Sequence, residues 1–161
     1  MTRGIKCFAT VVPCDQLKNI PIRVFPMFIV ANSKPSTHPG EHWLAIHVKS
    51  SKGPVTFFDS FGFGVTFYSA DFSEFFKRLG GGIIENTKPL QSLGSDCCGQ
   101  YALYFLNMKI NGCCTMSTYC HFSSNRTSND KKVRRFFNKN KHLLRTSCRI
   151  NNLIKQCCTK F

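Results

Sequence analysis

The chain has 161 residues, of which 42% are hydrophobic and sixteen are phenylalanine, and its formal net charge is +14. This apolar content argues against wholesale disorder, and the length suits one domain, residues 1–161, with a single core. No apolar run reaches the roughly 18 residues that a membrane span needs. The N-terminus also lacks the apolar stretch and the cleavage site of a signal peptide, so we expect a cytosolic or nuclear protein with no membrane association.

Two apolar segments predict neighbouring antiparallel strands. "HWLAIHV", residues 42–48, is apolar on both faces, as interior strands are. "VTFFDSF", residues 55–61, is rich in β-branched and aromatic residues, and a six-residue turn separates the two segments. Residues 20–33 predict a further strand, interrupted by Pro26.

Two helices are predicted next along the chain. Over residues 69–80, four apolar side chains recur at helical spacing, with Ser69 placed to cap the start and Gly80 to end the helix. "GQYALYFLNMKI", residues 99–110, is apolar nearly all round, which predicts a buried central helix that starts at Cys98. The expected fold class is α+β, a small and mostly antiparallel sheet packed by helices.

The last third of the chain is polar and basic. Residues 111–129 are predicted as a loop, followed by a basic helix from Asp130 and a short helix over 150–157. From Arg126 to the C-terminus there are eleven Lys or Arg residues and one acid, so this segment carries +10 of the net charge. Such a surface suits nucleic acid or another polyanion, although a solvated helical face has the same composition.

Ten cysteines are many for the expected compartment. Mostly reduced thiols are favoured over a disulfide framework, because no signal peptide is visible and the core is large. Zinc sites usually separate their paired cysteines by two to four residues, whereas three pairs here are adjacent. The remaining candidate set, Cys113, Cys114, Cys120 and His121, matches no common zinc spacing, and we expect no metal.

The predicted hairpin brings a histidine and an acid together. If Val48 faces Val55 across the turn, His42 and Asp59 lie on one face as diagonal neighbours. A slip of one residue in register would separate them. An acid beside a histidine fixes its tautomer and stabilises the imidazolium, as in a nucleophilic triad.

A thiol and an amide complete the candidate site. Cys98 lies at a turn-to-helix junction that Asp96 is placed to cap, where unpaired N–H groups and the helix dipole favour a thiolate and face a developing oxyanion. Gln91, seven residues earlier, offers a side-chain amide to the same oxyanion. Together with the histidine and the acid, these are the groups of a thiol acyl-transfer enzyme. Each of them taken singly has an ordinary structural explanation, as a core or turn residue.

Three segments resemble the motif blocks of the adenovirus protease (adenain) family and its homologues in adenovirus-like viruses and virus-like transposons, in the same clan as the SUMO-specific proteases. The segments are "GEHWLAIHV", "FFDSFG" and "QSLGSDCCGQYALYFL". The resemblance implies that His42 is the base and Asp59 its orienting acid. It implies likewise that Gln91 is the oxyanion donor and Cys98 the nucleophile.

The segments depart from the family pattern in two ways. Asp59 stands where the adenoviral enzymes commonly have Glu, although the wider clan uses Asp. The doubled cysteine makes Cys97 a rival nucleophile, but Gly99 follows Cys98, and the spacing from Gln91 fits Cys98.

The resemblance implies a viral cysteine endopeptidase that cleaves precursor proteins after small residues, glycine above all, during virion maturation. Viral capsid or core precursors would be its substrates, and it would act as a monomer in the virion and the host cell nucleus, without a metal or an organic cofactor. Trp43, next to the base, is expected to wall the substrate groove or to pack against the sheet. Two alternatives stay open: an isopeptidase of the same clan that removes ubiquitin-like modifiers, and a non-catalytic, basic nucleic-acid-binding protein.

Basic residues on the predicted C-terminal helix are candidate nucleic-acid contacts: Lys131, Lys132, Arg134, Arg135, Lys139, Lys141 and Arg145. We expect them to bind DNA without sequence preference, through its phosphates. The resemblance adds that DNA can serve as an activator.

Adenoviral enzymes also receive an activating peptide through a disulfide, at a cysteine eighteen residues before the nucleophile. That position is Gly80 here, and no cysteine occurs between Cys14 and Cys97. Either no peptide is needed, or a peptide binds without a covalent link, or the C-terminal "IKQCCTKF" supplies one in cis.

Overall fold

The computed structural model describes residues 7–140, which form a five-stranded sheet with helices on both faces. In spatial and chain order the strands are β1 (Phe8–Pro13), β2 (Met27–Asn32), β3 (Trp43–Val48), β4 (Val55–Phe58) and β5 (Ile83–Glu85). The inner pairs β2–β3 and β3–β4 are antiparallel, and the outer pairs β1–β2 and β4–β5 are parallel. The α+β class is confirmed, but the sheet is mixed, because two edge strands that the sequence patterns do not predict pair in parallel.

The predicted hairpin is confirmed in position and register. Val48 pairs with Val55 and Ala45 with Phe58. β3 lies between β2 and β4 and is buried along nearly its whole length, which explains why it is apolar on both faces. β2 begins directly after Pro26, so the proline precedes the strand and does not interrupt it.

Two of the helices lie close to where they were predicted. α1 covers Ala70–Leu79, and α2 covers Cys98–Ile110 and is mostly buried. α1 ends at Gly80, whose φ of +69° is the left-handed conformation that glycine adopts most readily. Ser69 occupies the N-cap position, but its hydroxyl donates to Asp71 at 2.9 Å and makes no capping bond to a backbone N–H, so that part of the prediction is wrong.

The segment predicted as a loop over 111–129 contains helical structure. α3 covers Thr115–Cys120, and α4 covers Arg126–Asn140, which starts before the predicted Asp130. The first turns of α4 lack apolar periodicity, and the side chain of Asn125 starts the helix by accepting the N–H of Ser128 at 2.9 Å. The helix predicted over 150–157 lies outside the described residues. Within residues 7–140, no helix is both long and apolar enough to cross a membrane.

Side chains alternate across the strands and build one cluster on each face of the sheet. The face covered by α2 and α4 contributes to the first cluster, which includes Val30, Ala45, Phe58, Tyr101, Phe105 and Val133. The face covered by α1 contributes to the second, which includes Leu17, Ile29, Leu44, Phe57, Phe72 and Phe75. The N-terminus of α2 is thereby held against the sheet on the first face.

Candidate active site

His42 and Asp59 meet at one edge of the hairpin. His42 immediately precedes β3 and Asp59 immediately follows β4, so antiparallel pairing brings them to the same end of the sheet. The Nε2 atom of His42 lies 2.7 Å from the Oδ1 atom of Asp59, and both side chains are buried. The contact predicted from the register is therefore present.

The carboxylate of Asp59 is held by donors on both oxygens. Besides His42, Oδ1 accepts the backbone N–H of Phe61 at 2.9 Å. Oδ2 accepts the N–H of Phe63 at 2.8 Å and the hydroxyl of Tyr68 at 2.7 Å. Such a network satisfies a fully buried carboxylate and fixes its orientation toward the imidazole.

The backbone on either side of Asp59 is fixed as well. The N–H of Asp59 donates to Asn86 Oδ1 at 3.0 Å, and Asn86 Nδ2 donates back to the carbonyl of Asp59 at 2.5 Å. Gly62 has a φ of +73°, and a Cβ built on it would lie 2.6 Å from the carbonyl carbon of Lys88. Asn86 and Tyr68 carry no local motif, so sequence reasoning had no signal by which to find them.

His42 lies between Asp59 and Cys98. Burial by itself lowers the pKa of His42, but the hydrogen bond to Asp59 and the neighbouring negative charges of Asp59 and Cys98 outweigh it and raise that pKa to about 9. Because Nε2 bonds to Asp59, Nδ1 is the nitrogen left for Cys98. The ring also stacks on Phe61, with centroids 4.9 Å apart.

The adjacent cysteines face different surroundings. Cys98 is the first residue of α2, and it lines a surface cleft together with His42. Cys97 is directed inward, with its Sγ 3.1 Å from Ser95 Oγ and 3.5 Å from Asp130 Oδ1. Burial raises the pKa of Cys97 to about 11, so it is a thiol at neutral pH. The environment of Cys98 is the one suited to a nucleophile.

Asp96 does not cap α2, contrary to the prediction from the sequence. The N-cap position is Cys97, which makes no side-chain capping bond. Asp96 instead forms an exposed ion pair with Arg134 of α4. The first N–H groups of α2 are consequently left without a side-chain cap, as an oxyanion site requires.

Gln91 is buried beside the same cleft. Its Oε1 accepts the hydroxyl of Ser60 at 2.6 Å, and its Nε2 donates to the carbonyl of Ser95 at 2.7 Å. The carbonyl of Ser95 can only accept, so this contact defines which end of the amide is the donor, and it uses one of the two Nε2 hydrogens. The amide therefore retains a hydrogen that a ligand can accept.

The segment from Leu90 to Cys97 has no strand partner, and it is held by backbone bonds from Leu90 and Gln91 to Ser60 and by side chains of α2 and α4. The hydroxyl oxygen of Tyr101 lies 2.9 Å from the carbonyl oxygen of Leu90 and 2.9 Å from Asp130 Oδ1, and its single hydrogen is shared between these two acceptors. Asn129 donates to the same carbonyl at 3.1 Å, and Asp130 also accepts the N–H of Ser92 at 3.4 Å. Asp130, which the sequence presents only as the one acid of a basic segment, is a structural support of this loop.

The cleft has a volume of about 570 Å³. His42, Trp43, Gln91 and Cys98 line it, together with residues of the 33–41 loop. Asn32 anchors that loop, because its Oδ1 accepts the N–H of Lys34 at 2.9 Å and that of Glu41 at 3.4 Å. Trp43 lines the cleft and is also buried in the first core cluster.

The described part of the predicted basic surface is exposed on α4: Lys131, Lys132, Arg134, Arg135 and Lys139. Lys132 donates to the carbonyl of His121, and Arg134 pairs with Asp96, so two of these cations have protein partners. Lys141 and Arg145 lie outside the described residues, as does the C-terminal segment predicted to act in cis. Across residues 7–140, no three His, Cys, Asp or Glu side chains are grouped so as to hold a metal ion.

Comparison with known proteins adds no family to this geometry. No protein-family model matches the chain, and no curated protein matches it. A function is therefore inferred from the residues of the site and from the motif resemblance.

Proposed function

We propose that the chain is a cysteine endopeptidase of the adenain type, which cleaves viral precursor proteins after small residues such as glycine during virion maturation. One observation carries the proposal. Buried His42 is hydrogen-bonded to Asp59 at 2.7 Å, and it lines one cleft together with Cys98 and Gln91. The chemistry follows from these four residues, and the viral setting and the glycine preference follow from the motif resemblance.

In the proposed reaction His42 already holds the proton of Cys98, in keeping with its raised pKa, and the thiolate sulfur attacks the scissile carbonyl. The oxyanion is stabilised by the N–H of Cys98 and the remaining amide hydrogen of Gln91. His42 then gives its proton to the leaving amine, and water hydrolyses the thioester. Asp59 keeps the imidazole in the required orientation throughout.

The proposal is tested with an electrophile that reacts with thiols and is carried on a peptide ending in glycine. We expect labelling at Cys98, identified by mass spectrometry, and loss of labelling in His42→Ala. Cys97→Ala is the matched control, because Cys97 has the same chemistry but faces Asp130, and it should label as the unmodified chain does. Labelling at Cys97, or labelling that persists in His42→Ala, would contradict the mechanism.

The substrate class is tested in the same assay. Peptides that contain a cleavage site after a small residue are compared with ubiquitin-like probes that end in Gly-Gly. Preference for the peptides supports the endopeptidase, and preference for the probes supports the isopeptidase alternative. If the chain neither cleaves nor labels, the non-catalytic alternative is favoured.

We also propose that α4 binds nucleic acid without sequence preference, because five cations are exposed on this one helix. Affinity should fall as salt rises, with a log–log slope of about −0.9 per phosphate contacted. Changing Lys131, Lys132, Arg135 and Lys139 to Gln should weaken binding and reduce the slope. The matched control changes four exposed lysines elsewhere: Lys49, Lys52, Lys77 and Lys88. Equal losses in the two variants would mean that only net charge matters, and turnover with and without DNA tests activation.

Activation by a peptide is proposed to require no disulfide, since no cysteine occurs between Cys14 and Cys97. The chain should show basal activity without an added peptide. If the C-terminal segment activates the chain in cis, deleting residues 155–161 should lower turnover or stability. Strict dependence on a disulfide-linked peptide would contradict the proposal.

A further inference from the structure

A second pocket adjoins the cleft on the far side of His42. Its volume is about 450 Å³, and its lining is Ser33, Lys34, Glu41, His42, Phe61, Phe63, Phe67 and Tyr68. His42 and Phe61 line both spaces, together with the ion-paired Lys34 and Glu41. Cys98 and Gln91 line the cleft, the first space. Neither is among the residues of 7–140 that line the second pocket.

Two aromatic rings form an exposed shelf in this second pocket. Phe63 is 44% exposed and Phe67 is 65% exposed, and their rings stack with centroids 4.3 Å apart. We call this pair the aromatic shelf. Scattered apolar side chains are common on protein surfaces, but two stacked phenylalanines beside a candidate catalytic histidine offer a continuous apolar face to a ligand.

The shelf is tied to the candidate catalytic residues. The N–H of Phe63 donates to Asp59 Oδ2 at 2.8 Å, so the carboxylate that orients His42 also holds the backbone of the shelf. The N–H of Val65 donates to Glu85 Oε2 at 2.9 Å, which secures the turn between the two rings. The shelf is therefore formed before any ligand binds.

The position of each space relative to the reacting atoms assigns its occupant. In the proposed reaction the acyl part of the substrate is bonded to Cys98 and its oxygen faces Gln91, so it occupies the first space. The leaving amine takes its proton from His42. The second pocket is lined by His42 but not by Cys98 or Gln91. It therefore lies on the side of the leaving amine, C-terminal to the scissile bond.

We propose that the aromatic shelf binds an apolar side chain of the substrate on the C-terminal side of the scissile bond, within the first three positions. An aromatic or long aliphatic side chain fits, because the shelf is apolar and the neighbouring charges of Lys34 and Glu41 compensate each other. The inference rests on the proposed function and adds a specificity that the four catalytic residues do not determine.

The test uses peptides that share one half N-terminal to the scissile bond, the acyl half, which ends in glycine. The half C-terminal to the bond, the leaving half, carries Phe, Leu or Ser. The unmodified chain should cleave the Phe and Leu peptides with a kcat/KM about tenfold above that of the Ser peptides. Phe67→Ala and Phe63→Ala should remove most of that preference, since each truncates one ring. Met116→Ala is the matched control, because Met116 is an apolar, exposed residue on α3, away from both spaces.

A second readout separates this inference from the proposed function. The glycine-ending electrophile occupies only the acyl side, so Phe67→Ala should be labelled at Cys98 at the unmodified rate. Normal labelling without a preference among the leaving halves overturns the aromatic shelf alone. A preference that survives both substitutions overturns it too. If the unmodified chain neither labels nor cleaves, the proposed function fails and this inference fails with it.

Discussion

The two halves of the candidate site are built in different ways. His42 and Asp59 lie at the ends of paired strands, and a repeating ladder of backbone hydrogen bonds defines their spacing. Gln91 lies within a loop that has no strand partner, and Cys98 follows that loop directly. The loop depends on Tyr101 of α2 and on residues of α4, which is distant in the sequence.

This difference predicts how each half of the site responds to a side-chain substitution. A ladder distributes its constraint over many backbone bonds, so a side-chain substitution in the hairpin half should leave the backbone positions of His42 and Asp59 in place. The loop half relies on a few buried polar side chains, in particular Asp130. Removing one partner of such a group leaves others unsatisfied, so stability and geometry should be lost together.

The largest effect should come from Asp59→Asn in the hairpin half. The amide cannot accept from all the donors around Asp59, and it does not stabilise an imidazolium. We expect kcat/KM to fall by about 10³- to 10⁴-fold. Tyr68→Phe is the matched control, because it removes one donor and keeps the acid, and its loss should be far smaller. If the Asp59→Asn variant retained a tenth of the activity, the triad role of this acid would be excluded.

The next effect is a pH dependence that differs between the halves. The pKa of His42 is raised to about 9 in the folded chain from its ordinary 6.5, so its protonated form stabilises the fold. That stability, up to about 3 kcal/mol, is fully present below about pH 6.5 and is lost as the pH rises through about 9. Burial raises the pKa of Cys97 from 9.0 to about 11, so folding favours the neutral thiol. The stability that depends on this thiol should therefore be lost only above about pH 9.

Unfolding in denaturant at a series of pH values measures both pH dependences of the stability. The difference between the unmodified chain and His42→Gln isolates the first window, and the difference from Cys97→Ala isolates the second. A stability difference for His42→Gln that stayed constant between pH 6.5 and 9 would contradict the raised pKa of His42.

The loop half is tested by Asp130→Asn. The substitution removes a charged acceptor from Tyr101, Cys97 and Ser92. We expect the free energy of unfolding to fall by about 2 kcal/mol and kcat/KM to fall by about tenfold. Tyr101→Phe, which removes one donor only, should cost about 1 kcal/mol. Loss of stability with unchanged kcat/KM would show that the support does not position Gln91 and Cys98.

The smallest effect should come from Arg134→Gln, which breaks the exposed ion pair with Asp96. This pair also joins α4 to the loop, but solvent screens it, so its removal should cost under about 1 kcal/mol and less at high salt. A cost equal to that of Asp130→Asn would remove the distinction between buried and exposed supports.

Local patterns account for much of the fold. β3, β4 and α2 are recognisable as apolar runs and α1 by its apolar periodicity, and the six-residue turn was sufficient to align Val48 with Val55. The edge strand β1 was missed because it is only partly buried, and β5 and α3 were missed because they are short and largely exposed.

By itself, the sequence determined the hairpin and hence the contact of His42 with Asp59, because strand register is a local property set by a turn and by alternating side chains. It also located Cys98 at the start of α2. Only the tertiary structure decided which cysteine faces His42, and that Asp130 supports the loop while Asp96 is exposed. Those outcomes depend on which side chains distant segments bring together, and such a contact has no signature in any one of the segments.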